Sequence, residues 1–94
     1  IFYFEGQDGG QVTIYPDFIR RCILFVENVG DYQVKQHSEK IVEVCLSQRD
    51  EQVEEAITAQ FQLLAHQKQF KVPEIHFSDY HWDTSRKLKR IQRL

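Results

Sequence analysis

The basic side chains of this sequence are concentrated at its end. Residues 84–94 contain five of the twelve lysines and arginines and no acid, so residues 1–83 hold seven bases against fourteen acids, a net charge of −7. A basic cluster attracts polyanions such as phosphates, nucleic acid or an acidic protein surface, and a lysine brings its charge as a compact point. The alternative interpretation of the segment is a solvated, frayed terminus.

A second group of polar side chains precedes this basic tail. His76, Asp79, His81 and Asp83 lie within eight residues, and imidazole with carboxylate is a ligand set that zinc and other divalent metals accept. Nothing in the spacing forces the four groups to converge. We therefore interpret them as part of a polar segment that leads into the tail, and predict no metal site.

Two further pairs of reactive groups have structural explanations. Glu5 and Asp8 are candidates for a carboxylate pair, but Asp8 stands among glycines, and Asp is favoured in hairpin turns for backbone reasons. Cys22 and Cys45 lie in apolar surroundings with no C-x-x-C spacing, which predicts two buried thiols in a reducing compartment. A disulfide between these two cysteines stays open at this point.

The elements that must position these groups follow the order β-β-α-β-β-α-β. They are a hairpin of residues 1–5 and 12–15, a helix from Pro16 to about residues 28–30, strands over residues 32–37 and 42–46, a helix that starts after Ser47 and Asp50 and stops before Pro73, and a strand over residues 74–77. The predicted buried face of the first helix is marked by Phe18, Cys22, Phe25 and Val29 and is widened by Ile19, Ile23 and Val26. Helices on one face of a mainly antiparallel sheet give a two-layer α+β sandwich.

Length and composition limit the class of protein. Ninety-four residues, 41% hydrophobic and 13% aromatic, are typical of a single globular domain. The net charge of −2 argues against a general nucleic-acid coat or a membrane-surface protein, and we expect a cytoplasmic location. The sequence lacks Met and begins at Ile1 inside a predicted strand, so we expect it to be a fragment of a longer chain.

Three segments resemble, in order, one branch of the adenylate-forming superfamily. Residues 12–19 (VTIYPDFI) are similar to the strand, proline and helix start of phenylacetate–coenzyme A ligase-like enzymes. Residues 31–34 (DYQV) resemble the strand that follows the first helix there. Residues 85–90 (SRKLKR) resemble the final motif of the superfamily, although Arg86 stands where the family has glycine. The resemblance covers essentially the whole chain, as the C-terminal domain of such an enzyme.

The resemblance implies a mobile lid that works on a nucleotide held by a large N-terminal adenylation domain of the same chain. That family joins a carboxylic acid to the α-phosphate of ATP (with Mg²⁺), and a thiol such as coenzyme A then takes the acyl group. By position Lys87 matches the family's catalytic lysine, with Lys89 as the alternative, and Arg86 and Arg90 are the expected phosphate contacts. Asp8 is the hinge candidate. The isolated domain itself is expected to bind no cofactor and to be catalytically silent.

Other functions remain open on the same residues. A ferredoxin-like module that binds a small ligand or RNA without catalysis is the main alternative, although the strands lack the exposed aromatic pairs on which RNA-recognition sheets stack bases. We therefore expect neither nucleic acid nor a membrane as a partner. The third hypothesis is a pure dimerisation unit whose tail binds an acidic partner.

Overall fold

The computed structural model describes residues 2–26, 29–80 and 91–93, with only the backbone of residue 92. Its elements, in chain order, are β1 (Phe2–Glu5), β2 (Gln11–Ile14), α1 (Pro16–Leu24), β3 (Tyr32–Ser38), β4 (Ile41–Leu46), α2 (Glu51–Lys68), β5 (Glu74–Asp79) and β6 (Ile91–Arg93). The predicted α+β class is confirmed, with the first seven elements in the predicted order.

The strands form two sheets. β1 and β2 pair antiparallel as a hairpin, and the second sheet has the order β5-β4-β3-β6. In that sheet β3 and β4 are antiparallel, while β5 lies parallel to β4 and β6 parallel to β3. The parallel pair β4–β5 arises because α2 carries the chain back over the sheet, as a crossover helix does.

β6 was not predicted. Its three residues lie inside the segment interpreted as a tail, and they pair with Val34, Lys35 and Gln36 of β3. A three-residue run is too short to show a strand pattern in the sequence, so only the partner strand reveals it.

Helix α1 begins at Pro16 as predicted but ends earlier than predicted, at Leu24. The N–H of Val26 donates to the carbonyl of Ile23 at 3.0 Å, a three-residue bond that tightens and closes the last turn. Phe25 is consequently 72% exposed, and its assignment to the buried face was wrong. The buried residues of the helix, Ile19, Cys22 and Ile23, all belong to the predicted stripe.

Helix α2 is fixed at both ends by local chemistry. The carboxylate of Asp50 caps its start by accepting from the N–H groups of Gln52 at 2.8 Å and Val53 at 3.3 Å. Gln69 ends it in the left-handed conformation, with a φ of 60°. The helix packs its buried side chains, Val53, Ile57, Phe61, Leu64 and Ala65, into the core.

One core joins the helices, the inner face of the large sheet and the hairpin. It includes Phe2, Phe4 and Ile14 from the hairpin and Val34, Val42 and Val44 from β3 and β4. Gln36 is the buried polar exception, at 1% exposure. Its amide oxygen accepts from the N–H of Tyr3 at 3.1 Å and its amide nitrogen donates to the carbonyl of Tyr3 at 2.6 Å. This side chain therefore links β1 of the small sheet to β3 of the large one.

Candidate functional site

The end of β5 and the start of β6, the two strands that flank the basic segment in the sequence, lie at the same end of the large sheet. Asp79, the last residue of β5, lies beside Leu46 at the end of β4, which in turn pairs with Tyr32 at the start of β3. Ile91, the first residue of β6, pairs with Val34, two residues further along β3. Residues 81–90 therefore join the two outermost strands of the sheet, which are separated by about 14 Å, or three strand spacings.

Hydrogen bonds hold the strand end from which this segment departs. The N–H of Tyr80 donates to the carbonyl of Leu46 at 3.0 Å. Arg49 lies 3.5 Å from the carboxylate of Asp79 and 3.2 Å from that of Glu54. Arg49 thus compensates the two acids at this end of the sheet. The sequence did not predict its contact with Asp79, because the two residues are 30 positions apart and the crossover brings them together.

The turn before β3 adds a second fixed point at the same end. Ser47 Oγ accepts from the N–H of Asp31 at 2.8 Å, and the N–H of Ser47 donates back to the carbonyl of Asp31 at 2.9 Å. Gly30 has a φ of 71°, and a Cβ there would lie 2.7 Å from Ser47 Oγ. Only glycine fits this approach without a shift of the serine.

The predicted tail residues Arg86, Lys87, Lys89 and Arg90 lie outside the described residues, as do His81 and Asp83. Arg93, the last base of the tail, is described, and its guanidinium lies 4.7 Å from the centre of the Tyr3 ring.

Asp8 lies in the hairpin turn between β1 and β2. Its carboxylate accepts from the N–H of Gly10 at 2.9 Å, which confirms the turn interpretation. Glu5 does not pair with it: the carboxylate of Glu5 binds the ammonium of Lys71 at 3.0 Å, and that hydrogen bond is the main reason why the pKa of Glu5 is lowered. The two carboxylates therefore serve separate structural contacts.

The described members of the histidine and aspartate group do not converge. Asp79 contacts Arg49, whereas His76 lies 3.5 Å from Glu74 on the opposite side of β5. Across the part of the chain that the structure describes, no three His, Cys, Asp or Glu side chains are placed to hold a metal ion.

A chain of polar side chains crosses the sheet face that points away from the helices. His37 Nε2 lies 2.9 Å from Glu43 Oε1, Ser78 Oγ donates to Glu43 Oε2 at 2.6 Å, and Cys45 Sγ lies 3.3 Å from Ser78 Oγ. The bond from Ser78 and then that from His37 lower the pKa of Glu43. Sequence reasoning missed this cluster, because it depends on the register of three strands.

The cluster has the residue types of a hydrolytic site but not its connectivity. A serine nucleophile needs a base such as His to take its proton, whereas Ser78 donates to Glu43 and the imidazole lies on the far side of that carboxylate. Burial also raises the pKa of the Cys45 thiol, which disfavours the reactive thiolate. The arrangement satisfies the polar groups of the sheet and provides no activated nucleophile.

The two cysteines are buried and free, as predicted for the reduced state. Burial raises the pKa of Cys22 to about 11, so this thiol is protonated and behaves as a small apolar side chain. Neither helix in the described ranges is long and apolar enough to cross a membrane.

No protein-family model matches this chain, and a search of curated proteins finds no significantly similar sequence.

Proposed function

We propose that this chain is the C-terminal lid of an ATP-dependent enzyme that activates a carboxylic acid as an acyl-adenylate. The observation that carries the proposal is the position of the ends of the basic segment. Residues 81–90 depart from β5 and return through β6 at one end of a four-stranded sheet. A segment attached to a packed sheet on both sides is well suited to present a cation to a partner domain.

In this proposal Lys87 acts on the first half-reaction. The carboxylate of the substrate attacks the α-phosphorus of ATP, a new P–O bond forms, and the bond to pyrophosphate breaks. The ammonium of Lys87, or of Lys89 if the register is shifted by two residues, stabilises the negative charge that grows on the phosphate oxygens. Arg86 and Arg90 contribute contacts to phosphate.

The nucleotide pocket belongs to the partner domain in this scheme. As the resemblance implies, we assign ATP with its Mg²⁺ to a large N-terminal domain. A thiol such as coenzyme A would take the acyl group after the lid has rotated about a hinge near Asp8, at the exposed end of the hairpin. The free cysteines support a reducing, cytoplasmic location.

Substitution of Lys87 in the full-length enzyme tests the proposal. Lys87→Ala should lower the rate of acyl-adenylate formation by about 100-fold to 1,000-fold, the usual effect of removing one group that stabilises transition-state charge. The affinity for ATP should change little, because such a contact acts mainly in the transition state. Hydroxylamine trapping of adenylates over a panel of carboxylic acids measures the rate, and equilibrium titration measures ATP binding.

Two matched variants make the result specific. Lys89→Ala distinguishes the two registers, and Lys40→Ala removes a lysine from the distant β3–β4 turn and should leave the rate unchanged. Wild-type adenylation in both Lys87→Ala and Lys89→Ala would reject the catalytic role of the tail.

The side chains on the outer face of the large sheet give less support to RNA binding. The side chains on the outer face of β3, β4 and β5, within the described residues, include Gln33, Lys35, Glu43 and His76. The large aromatic residues of these strands, Tyr32 and Phe77, lie on the other face, where bases cannot stack on them.

A further inference from the structure

A groove of about 410 Å³ runs between α1 and α2 on the outside of the molecule. Its lining residues come from α1, from Phe25 directly after α1 and from α2, and they are Phe18, Arg21, Cys22, Phe25, Gln60, Leu63, Leu64, Gln67 and Lys68. Two of them are cations, two are neutral amides and none is a carboxylate. In a chain whose first 83 residues carry twice as many acids as bases, an acid-free lining is a local reversal of charge.

The cations of the groove gather at one end. The ammonium of Lys68, at the end of α2, lies 4.4 Å from the centre of the Phe18 ring, and the guanidinium of Arg21 lies 5.8 Å from it. The start of α1 therefore faces the end of α2, and both charges are held over one aromatic ring. Neither Arg21 nor Lys68 has a carboxylate partner among the ion pairs of the described residues.

The other end of the groove is apolar and exposed. Phe25 is 72% and Leu63 is 51% exposed, one on each wall, while Cys22 and Leu64 are buried beneath them at 4% and 6%. Phe25 follows Phe18 by seven residues, about 10 Å along a helix. The groove thus presents a cationic end and an apolar end that are separated by roughly two helical turns.

We propose that this groove binds an amphipathic helix of a partner protein, with acidic side chains at one end of its apolar face. A helix laid in a groove uses apolar anchors at i, i+3, i+4 and i+7, which matches the distance between the two ends. Carboxylates in the first turn of that helix would meet Arg21 and Lys68, and they would also stabilise the helix itself. The proposal is independent of the role of Lys87.

The shape and charge of the groove favour this occupant over two others. A second copy of the chain that presented the same groove in an isologous contact would offer Arg21 and Lys68 no carboxylate, because the lining contains none. A lipid surface is flat, whereas the apolar floor at Cys22 and Leu64 is recessed between exposed walls. An acidic helix satisfies both the concave shape and the positive charge.

A pair of designed peptides tests the proposal on the ¹⁵N-labelled protein. Each is about fourteen residues long, enough for an isolated helix to begin to form, with leucines at the four anchor positions. One has glutamates in its first turn and the other has lysines at the same positions. The acidic peptide should bind at least about tenfold more tightly than the basic one, because its glutamates attract Arg21 and Lys68 whereas lysines at the same positions repel them. It should also shift the amide signals of α1 and α2.

Substitutions in the protein locate the site. Leu63→Gln should lower the affinity for the acidic peptide by about tenfold, because apolar contact is lost. Lys68→Gln should lower this affinity by about threefold to fivefold, as expected for loss of an exposed ion pair. Lys40→Gln removes a lysine outside the groove and should have no effect. All three side chains are exposed, and dispersed amide spectra verify that each variant is folded.

Equal binding of the two peptides, or no binding of either, overturns the proposal. So do amide shifts confined to the sheet. If vesicles of anionic lipid shift the same signals and the acidic peptide does not, the groove binds a membrane surface instead. If the chain alone sediments as a dimer that Leu63→Gln dissociates, the occupant is a second copy and the proposal is wrong.

Discussion

Gln36 is the residue through which the two sheets are most directly connected. Its side chain is buried, and it makes two hydrogen bonds to the backbone of Tyr3, as a neighbouring strand would. Gln36→Leu keeps a side chain of similar size at this position but leaves the N–H and C=O of Tyr3 without these hydrogen-bond partners. We expect the free energy of unfolding to fall by about 2 kcal/mol, the usual effect of unsatisfied buried groups, as measured by urea denaturation.

A matched substitution separates this effect from a general change of glutamine to leucine. Gln62 is exposed on α2, so Gln62→Leu should change the free energy of unfolding by no more than about 0.5 kcal/mol. If the two variants were equally stable, the amide of Gln36 would not hold the hairpin.

Among the elements, α2 depends most clearly on a single capping residue. Asp50 accepts hydrogen bonds from two backbone N–H groups of the first turn, and its charge complements the helix dipole. Asp50→Ala should lower the free energy of unfolding by about 1 kcal/mol, measured by urea or thermal denaturation. Asp50→Ser retains an acceptor and should recover most of the loss. An equal loss in both variants would show that capping is not the cause.

This cap also shows which parts of the fold the sequence could predict. Local sequence patterns predicted the helix starts at Pro16 and Asp50 and the strands β3 and β4, because the residues that form these patterns are neighbours in the chain. The end of α1 and the existence of β6 depend on contacts with distant residues, and they were not predicted. Gln36 shares the inner face of β3 with Val34, but its partner Tyr3 lies 33 positions away in the sequence.

The candidate sites divide in the same way. The turn at Asp8 was predictable because its hydrogen bond spans two residues. The cluster of His37, Glu43 and Ser78 was not, because it requires β4 to lie between β3 and β5 in one register. The groove between α1 and α2 was also missed, since Phe25 was expected to be buried. The function of Lys87 stays a prediction, with its test in the full-length enzyme.

At the scale of the whole molecule, the outer face of the large sheet is held together by ionisable groups. Glu43 on β4 connects His37 on β3 to Ser78 on β5, so one carboxylate bridges three strands. Its side chain is 26% exposed, and the pKa of Glu43 is lowered by the hydrogen bonds from Ser78 and His37. The stability of the sheet should therefore depend on the charge of this one residue.

The direction of that dependence follows from the pKa. The ordinary pKa of the Glu43 carboxyl is 4.5 and the folded value lies below it, so its contribution to stability is complete above pH 4.5 and is lost as the pH falls through the folded value. Glu43→Gln should be less stable than the wild type at pH 6, by about 1 kcal/mol for a partly exposed charged hydrogen bond. Below pH 4.5 the difference should shrink. Urea denaturation between pH 3 and pH 7 measures both proteins.

Glu55→Gln is the control for this profile, because it removes the same charge from the exposed side of α2 and leaves the three-strand bridge intact. The free energy of unfolding of Glu55→Gln should differ little from that of the wild type between pH 3 and pH 7. Glu5 also has a lowered pKa, but it is present in both proteins and cancels in the comparison. If the difference between wild type and Glu43→Gln were the same at pH 3 and pH 6, the charge of Glu43 would not stabilise the sheet, and Ser78 and His37 would be satisfied equally well by a neutral amide.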